Sequence, residues 1–120
     1  MKVTVRITKN FKSEVKPLMR KYHSLSADLA ELEEQLLQNP RAGDEIGKNV
    51  YKVRLRIKSK GRGKSGGARV ITLLERYIIA ALDHSTDEIT VNLISIYDKG
   101  EVDTISDKEI KRLVDMFYSS

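Results

Sequence analysis

Apolar and polar residues alternate at the start of the chain. Val3, Val5 and Ile7 fall on one side, and Lys2, Thr4, Arg6 and Thr8 on the other. That period of two predicts a half-buried strand over residues 1–8. Asn10 is a suitable cap for a helix that follows. Phe11, Val15, Leu18, Met19 and Tyr22 then recur at helical spacing, with Pro17 predicting a kink or a later start. A second helix is expected after a cap at Ser24 or Ser26, with Leu25, Leu29, Leu32 and Leu36 as its apolar stripe. Residues 39–47, with Pro40, Gly43 and Gly47, read as a loop.

The alternation returns over residues 50–58. Tyr51, Val53, Leu55 and Ile57 take one face, and Lys52, Arg54, Arg56 and Lys58 the other. Successive strand side chains point to opposite faces, so four cations are expected along one side of a sheet. A glycine-rich turn follows over 59–67. A long strand is predicted from Arg69 to about Leu82, a polar turn over 84–87, and a return strand over 89–97. Ser106 and Glu109 have the spacing of a capping box. Behind it, Ile110, Leu113, Val114 and Phe117 stripe a last helix. The expected class is α+β, in the order β-α-α-β-β-β-α, with helices on one face of a mostly antiparallel sheet.

A chain of 120 residues suits one domain with one core, spanning 1–120. The absence of cysteine excludes a disulfide scaffold and thiolate metal ligation. No apolar run of signal-peptide length occupies the first ten residues, and the longest apolar stretch, 77–82, is too short to cross a bilayer. A cytoplasmic location is the expectation. The net charge is +5, but nine cations lie between Lys48 and Arg69, and no acidic residue occurs from Ile46 to Leu74. Charge segregated in this way produces a local field that suits a polyanionic partner.

Two phosphate-binding motifs are only mimicked. Gly61-Arg62-Gly63-Lys64-Ser65-Gly66 has the glycines of a dinucleotide loop, but a β-branched strand follows it instead of a helix N-terminus. Gly63-Lys64-Ser65 resembles the end of a P-loop, whose first glycine would fall on Lys58. His23 and His84 are far apart and show no metal-ligand spacing. No cofactor and no metal are expected.

Cations about 7 Å apart on a pleated face can follow a phosphodiester backbone. Arginine adds planar, bidentate phosphate recognition. Binding alone accounts for such a surface, and so does catalysis on RNA, which carries its own nucleophile in the ribose 2′-hydroxyl. A lysine among other cations can act as base, and arginines can stabilise the charged phosphorane.

Three segments carry a resemblance. They are Tyr51-Lys52-Val53-Arg54-Leu55-Arg56, Gly67-Ala68-Arg69-Val70-Ile71 and Leu93-Ile94-Ser95-Ile96-Tyr97-Asp98-Lys99. In order and spacing they resemble the RelE/ParE superfamily of toxins from type II toxin–antitoxin modules. The loop from Gly61 to Arg69 is similar to the HigB-type branch. The resemblance implies a RelE-like fold and a ribosome-dependent endoribonuclease that cuts messenger RNA through the 2′-hydroxyl, so halting translation and growth. It implies catalytic roles for Lys52 (the base), Arg54, Arg69 (phosphate charge) and Lys99 (acid or phosphate ligand). It implies RNA or ribosomal-RNA contacts for Arg56, Lys58, Lys60, Arg62, Lys64 and Tyr97. The implied partners are a cognate antitoxin protein, the ribosome and messenger RNA.

The chain departs from the family in two places. Where the RelE-type pattern has a base-stacking tyrosine after the last strand, this chain has Thr104-Ile105, which leaves Tyr97 and Tyr118 as substitutes. The strand from Arg69 to Leu82 is also longer than usual, and its Tyr77, Ile78 and Ile79 are either core or a contact with a partner. The alternatives are a ParE-like inhibitor that disables DNA gyrase by binding, and an RNA-binding relative without catalysis.

Overall fold

The computed structural model describes residues 1–61, 66–81, 84–102 and 104–119. The chain runs β1 (Lys2–Ile7), α1 (Lys9–Lys21), α2 (Leu25–Gln38), β2 (Asp44–Gly47), β3 (Val50–Leu55), a 3-10 turn (Lys58–Lys60), β4 (Ala68–Ala81), β5 (His84–Asp98) and α3 (Asp107–Ser119). The five strands form one sheet in the order β1-β5-β4-β3-β2. Only β1 and β5 run parallel; the other three pairings are antiparallel. The protein is α+β with a mostly antiparallel sheet.

The alternation in β3 appears as expected. Tyr51, Val53, Leu55 and Ile57 are buried, Lys52 is half-buried, and Arg54 and Arg56 are exposed. The buried set joins Phe11, Val15 and Leu18 of α1, Leu25, Leu32 and Leu36 of α2, and Val70, Val91, Leu93 and Ile96 of the central strands.

The helices are not all on one face. Val50, Ile71, Leu73 and Ile94 form a second cluster with Ile110 and Leu113 of α3. Val70 and Ile71 are neighbours in β4 but belong to different clusters, so α3 lies across the sheet from α1 and α2. The face expected to be purely basic is therefore divided. Its middle is covered by α3, and the cations occupy the part nearer the start of β4.

Several boundaries differ from expectation. The predicted loop 39–47 contains β2, a four-residue edge strand that pairs with β3 through an irregular register at Glu45 and Gly47. The predicted polar turn 84–87 belongs to β5, which extends to His84 opposite Ala81. The third strand ends at Leu55, so Lys58 lies on the 3-10 turn. Helix α1 begins before Asn10 and runs through Pro17; its cap is Thr8, whose side-chain oxygen accepts from the Phe11 N–H at 3.2 Å. Met19 is exposed, outside the buried stripe. Ser24 precedes α2, but its hydroxyl donates to Asp28 at 2.7 Å instead of capping. In α3, Ser106 accepts from the Glu109 N–H at 3.1 Å, while the Glu109 carboxylate turns to Arg112.

Asn10 has another task. The parallel pairing of β1 with β5 stops at Leu93, where α1 begins and runs beside the uncovered edge of β5. Asn10 Nδ2 donates to the Ile94 carbonyl at 2.9 Å, and Glu14 Oε1 accepts from Ser95 Oγ at 2.8 Å. Side chains of the helix thus occupy a strand edge that would otherwise invite pairing.

Candidate nucleic-acid interface

The register of the sheet assembles the basic positions. Arg54 of β3 stands opposite Arg69 of β4, and Arg69 stands opposite Tyr97 of β5. One step along, Lys52 is opposite Ile71, and Asp44 of β2 is opposite Lys52. Arg54, Arg69 and Tyr97 therefore form a row across three strands. Like charges directly opposite each other are unfavourable, and an anion placed between them relieves the repulsion. Asp44 is the acidic residue across from Lys52, and the cations Arg54, Arg56 and Arg69 lie beside that pair.

Accessibility differs sharply along the row. Arg54 is exposed, whereas Arg69 is only 6 % exposed. Arg69 Nη1 donates to the Ala68 carbonyl at 3.1 Å. Tyr97 is half-buried against the α3 cluster. Burial holds its phenol above the ordinary value, and the neighbouring Arg69 charge acts in the opposite direction. Lys52 and Arg54 line a shallow cleft of about 300 Å³ with Gln35, Gly43, Asp44 and Val53.

Two glycines fix the backbone of β3 beneath these side chains. A Cβ on Gly43, whose φ is +92°, would lie 2.3 Å from the Lys52 carbonyl oxygen. A Cβ on Gly67 would lie 2.0 Å from the Leu55 carbonyl oxygen. Only glycine permits either approach. The Lys99 N–H donates to the Gly67 carbonyl at 3.0 Å, which holds half-buried Lys99 beside the start of β4.

Two of the expected RNA contacts are engaged within the protein. Lys60 Nζ donates to Asp98 Oδ1 at 2.7 Å, with the lysine side chain 13 % exposed and the carboxylate 2 % exposed. Lys58 forms an ion pair with Glu31 of α2. Arg62 and Lys64 lie outside the described residues.

Asp98 is the residue that sequence reasoning missed. Besides Lys60, it accepts from the Tyr22 hydroxyl at 2.6 Å and the Gly100 N–H at 2.9 Å. Burial alone would raise its carboxyl; the hydrogen bonds from Lys60, Tyr22 and Gly100 outweigh burial and lower it to about 2. Tyr22 reads in sequence as part of the α1 stripe, and Asp98 as the end of a strand. The available signal was an acid closing the apolar run 93–97, in a chain whose basic segment has no acid of its own.

A second cluster holds the same 3-10 turn from α2. Asp28, 1 % exposed, accepts from the Lys58 N–H at 3.2 Å and from Ser24 Oγ. The Ser59 N–H donates to Ser24 Oγ at 2.8 Å. Lys58, Ser59 and Lys60 are thus tethered one after another.

No family model, curated protein or solved structure matches the chain. Among the described residues no helix is long and apolar enough to cross a membrane, and no group of three or more His, Asp or Glu is placed to hold a metal ion.

Proposed function

We propose that the chain is a RelE-like toxin of a type II toxin–antitoxin module, a cytoplasmic endoribonuclease that cuts messenger RNA on the ribosome. The observation that carries this reading is the cross-strand row Arg54–Arg69–Tyr97, with Lys52 one step away. It gathers the residue types that metal-free RNA cleavage requires. In that reaction the 2′-oxygen bonds to the adjacent phosphorus and the bond to the 5′-oxygen breaks. The products are a 2′,3′-cyclic phosphate and a free 5′-hydroxyl.

Each residue has a role in this scheme. Lys52 takes the 2′-hydroxyl proton, and Lys99 returns a proton to the leaving 5′-oxygen. Exposed Arg54 holds the scissile phosphate. Arg69, nearly enclosed and anchored at the root of β4, supplies preorganised positive charge to the phosphorane. Arg56, Arg62 and Lys64 extend the field along the RNA. Lys58 and Lys60 serve the scaffold through Glu31 and Asp98. The same field suits an acidic antitoxin segment that covers the basic residues.

Induced expression followed by mapping of new RNA 5′ ends tests the proposal. Cuts within translated frames, dependent on translation, are expected. Arg69→Ala should lower single-turnover cleavage on programmed ribosomes by roughly a hundred- to a thousand-fold, while ribosome affinity changes little. Intact RNA with DNA damage would transfer the reading to gyrase inhibition. Ribosome or RNA binding without cuts would leave only the non-catalytic relative.

A further inference from the structure

The distal half of the β4–β5 hairpin projects from the domain. Pairing of β3 with β4 ends at Leu73, followed by one bond from the Leu74 N–H to the Asn49 carbonyl. On the other side, β1 first meets β5 at Glu88. Among the described residues beyond these points, β4 and β5 pair only with each other, through Ala81 and His84. The molecule accordingly measures 52 Å along its long axis and 29 and 23 Å across. Tyr77 is 46 % exposed and Ile78 69 % exposed, so neither is core.

We propose that the open edge of β4, residues 75–81, pairs antiparallel with the same edge of a second copy of this chain. A two-stranded ribbon alone is marginal in water. Two ribbons joined edge to edge make a four-stranded sheet, β5-β4-β4-β5, closed by a two-fold axis. From Tyr77 to Ala81 the edge carries no charge, proline or glycine of the kind that blocks pairing. The Arg76 guanidinium is already matched within its own ribbon, donating to both Asp87 carboxylate oxygens at 3.0 and 2.9 Å.

The register follows from the backbone. Leu74 sends its N–H outward to Asn49, so Arg76, Ile78 and Ala80 are the next residues whose backbone groups face the open edge. The midpoint of 75–81 is Ile78. Centring the two-fold there places Ile78 opposite Ile78 and Tyr77 opposite Ile79. Arg76 and Glu75 fall opposite Ala80 and Ala81, so no like charges meet. A register centred one residue earlier would need Leu74, whose N–H is already used. An acidic antitoxin segment is a poor occupant, because this edge offers it no cation beyond the matched Arg76. The nine residue steps from Arg69 to Ile78 span ~30 Å of strand, so the dimer leaves the basic row open. The inference stands independently of the proposed activity.

Sedimentation equilibrium of the full chain tests it. A single edge-to-edge contact lies at the small end of interface sizes, so a weak, concentration-dependent dimer is expected. Ile78→Lys, which sets two like charges opposite each other, should abolish the dimer while the melting temperature stays near the parent's. The chain has no cysteine, and a hydrogen-bonded pair at the centre brings Cα atoms to about 5.5 Å, within disulfide range. Ile78→Cys should therefore form a reducible dimer under mild oxidation. A parent that stays monomeric up to about 1 mM, where even a millimolar dissociation constant is reached, would overturn the proposal. So would a dimer that survives Ile78→Lys.

Discussion

Arg54 and Arg69 are direct cross-strand partners on β3 and β4. Two cations in that position repel, so the arrangement costs stability when no anion is present. Arg54→Ala should stabilise the isolated protein by up to about 1 kcal/mol at low ionic strength. The gain should shrink as salt screens the pair. Urea unfolding at two salt concentrations measures this. A variant that is less stable than the parent at low salt would show that Arg54 is held by contacts stronger than the repulsion.

Asp98 imposes a pH dependence of known sign. Its carboxyl titrates at about 2 in the folded chain against an ordinary 3.8. A depressed folded value contributes stability above pH 3.8, and the contribution is lost as pH falls from there through about 2. It amounts to about 2 kcal/mol. Asp98→Asn should lower stability at neutral pH and remove that part of the acid sensitivity. Urea midpoints from pH 6 to about 2 should therefore converge for parent and variant; a constant gap would contradict the assignment.

Lys60 and Arg56 should separate stability from binding. Removing Lys60 leaves a buried carboxylate without its nearest cation, so Lys60→Ala should cost about 3 kcal/mol of folding stability. Arg56→Ala, on an exposed side chain, should leave stability within ~0.5 kcal/mol. It should instead reduce the salt slope of RNA binding by about one. Thermal melts and filter-binding titrations on both variants decide the matter; equal loss of RNA affinity without destabilisation in Lys60→Ala would return Lys60 to the interface.

Gly67 is held against β3 by close approach. Gly67→Ala sets a methyl group against the Leu55 carbonyl oxygen, and the start of β4 must shift to admit it. A loss of about 2 kcal/mol is expected. Gly61→Ala has open space around its Cβ, and its φ of +72° adds only local strain. It should cost about 1 kcal/mol. Chemical denaturation ranks the pair, and a Gly67→Ala variant as stable as the Gly61 variant would refute the packing argument.

Part of this architecture was legible in the sequence because burial imposes a period. Tyr51, Val53, Leu55 and Ile57 alternate with cations because one side of their strand lies under two helices, and the pleat records that directly. Strand β2 left no such record. Asp44 and Glu45 are exposed, and pairing with β3 alone makes the segment a strand. The residues 84–87 misled for a related reason: their polar composition suits a turn, and pairing with β4 makes them strand. The stripe of α3 showed which residues are buried, but no helical period states which side of a sheet receives them. Lys58 and Lys60 look like their neighbour Arg56 in sequence. Each is paired with a carboxylate far along the chain, Glu31 for one and Asp98 for the other.

The two glycine contacts on β3 have a consequence for how this surface can change. Gly43 presses on the backbone at Lys52 and Val53, and Gly67 presses on it at Leu55 and Arg56. The path of the strand is thus set by neighbouring main chain, while Lys52, Arg54 and Arg56 project away from the main core. Side chains at these three positions can be exchanged with little effect on where their Cα atoms lie. The strand behaves as a mount with replaceable fittings: selection can retune charge, reach or specificity there one residue at a time, whereas either glycine is close to immovable.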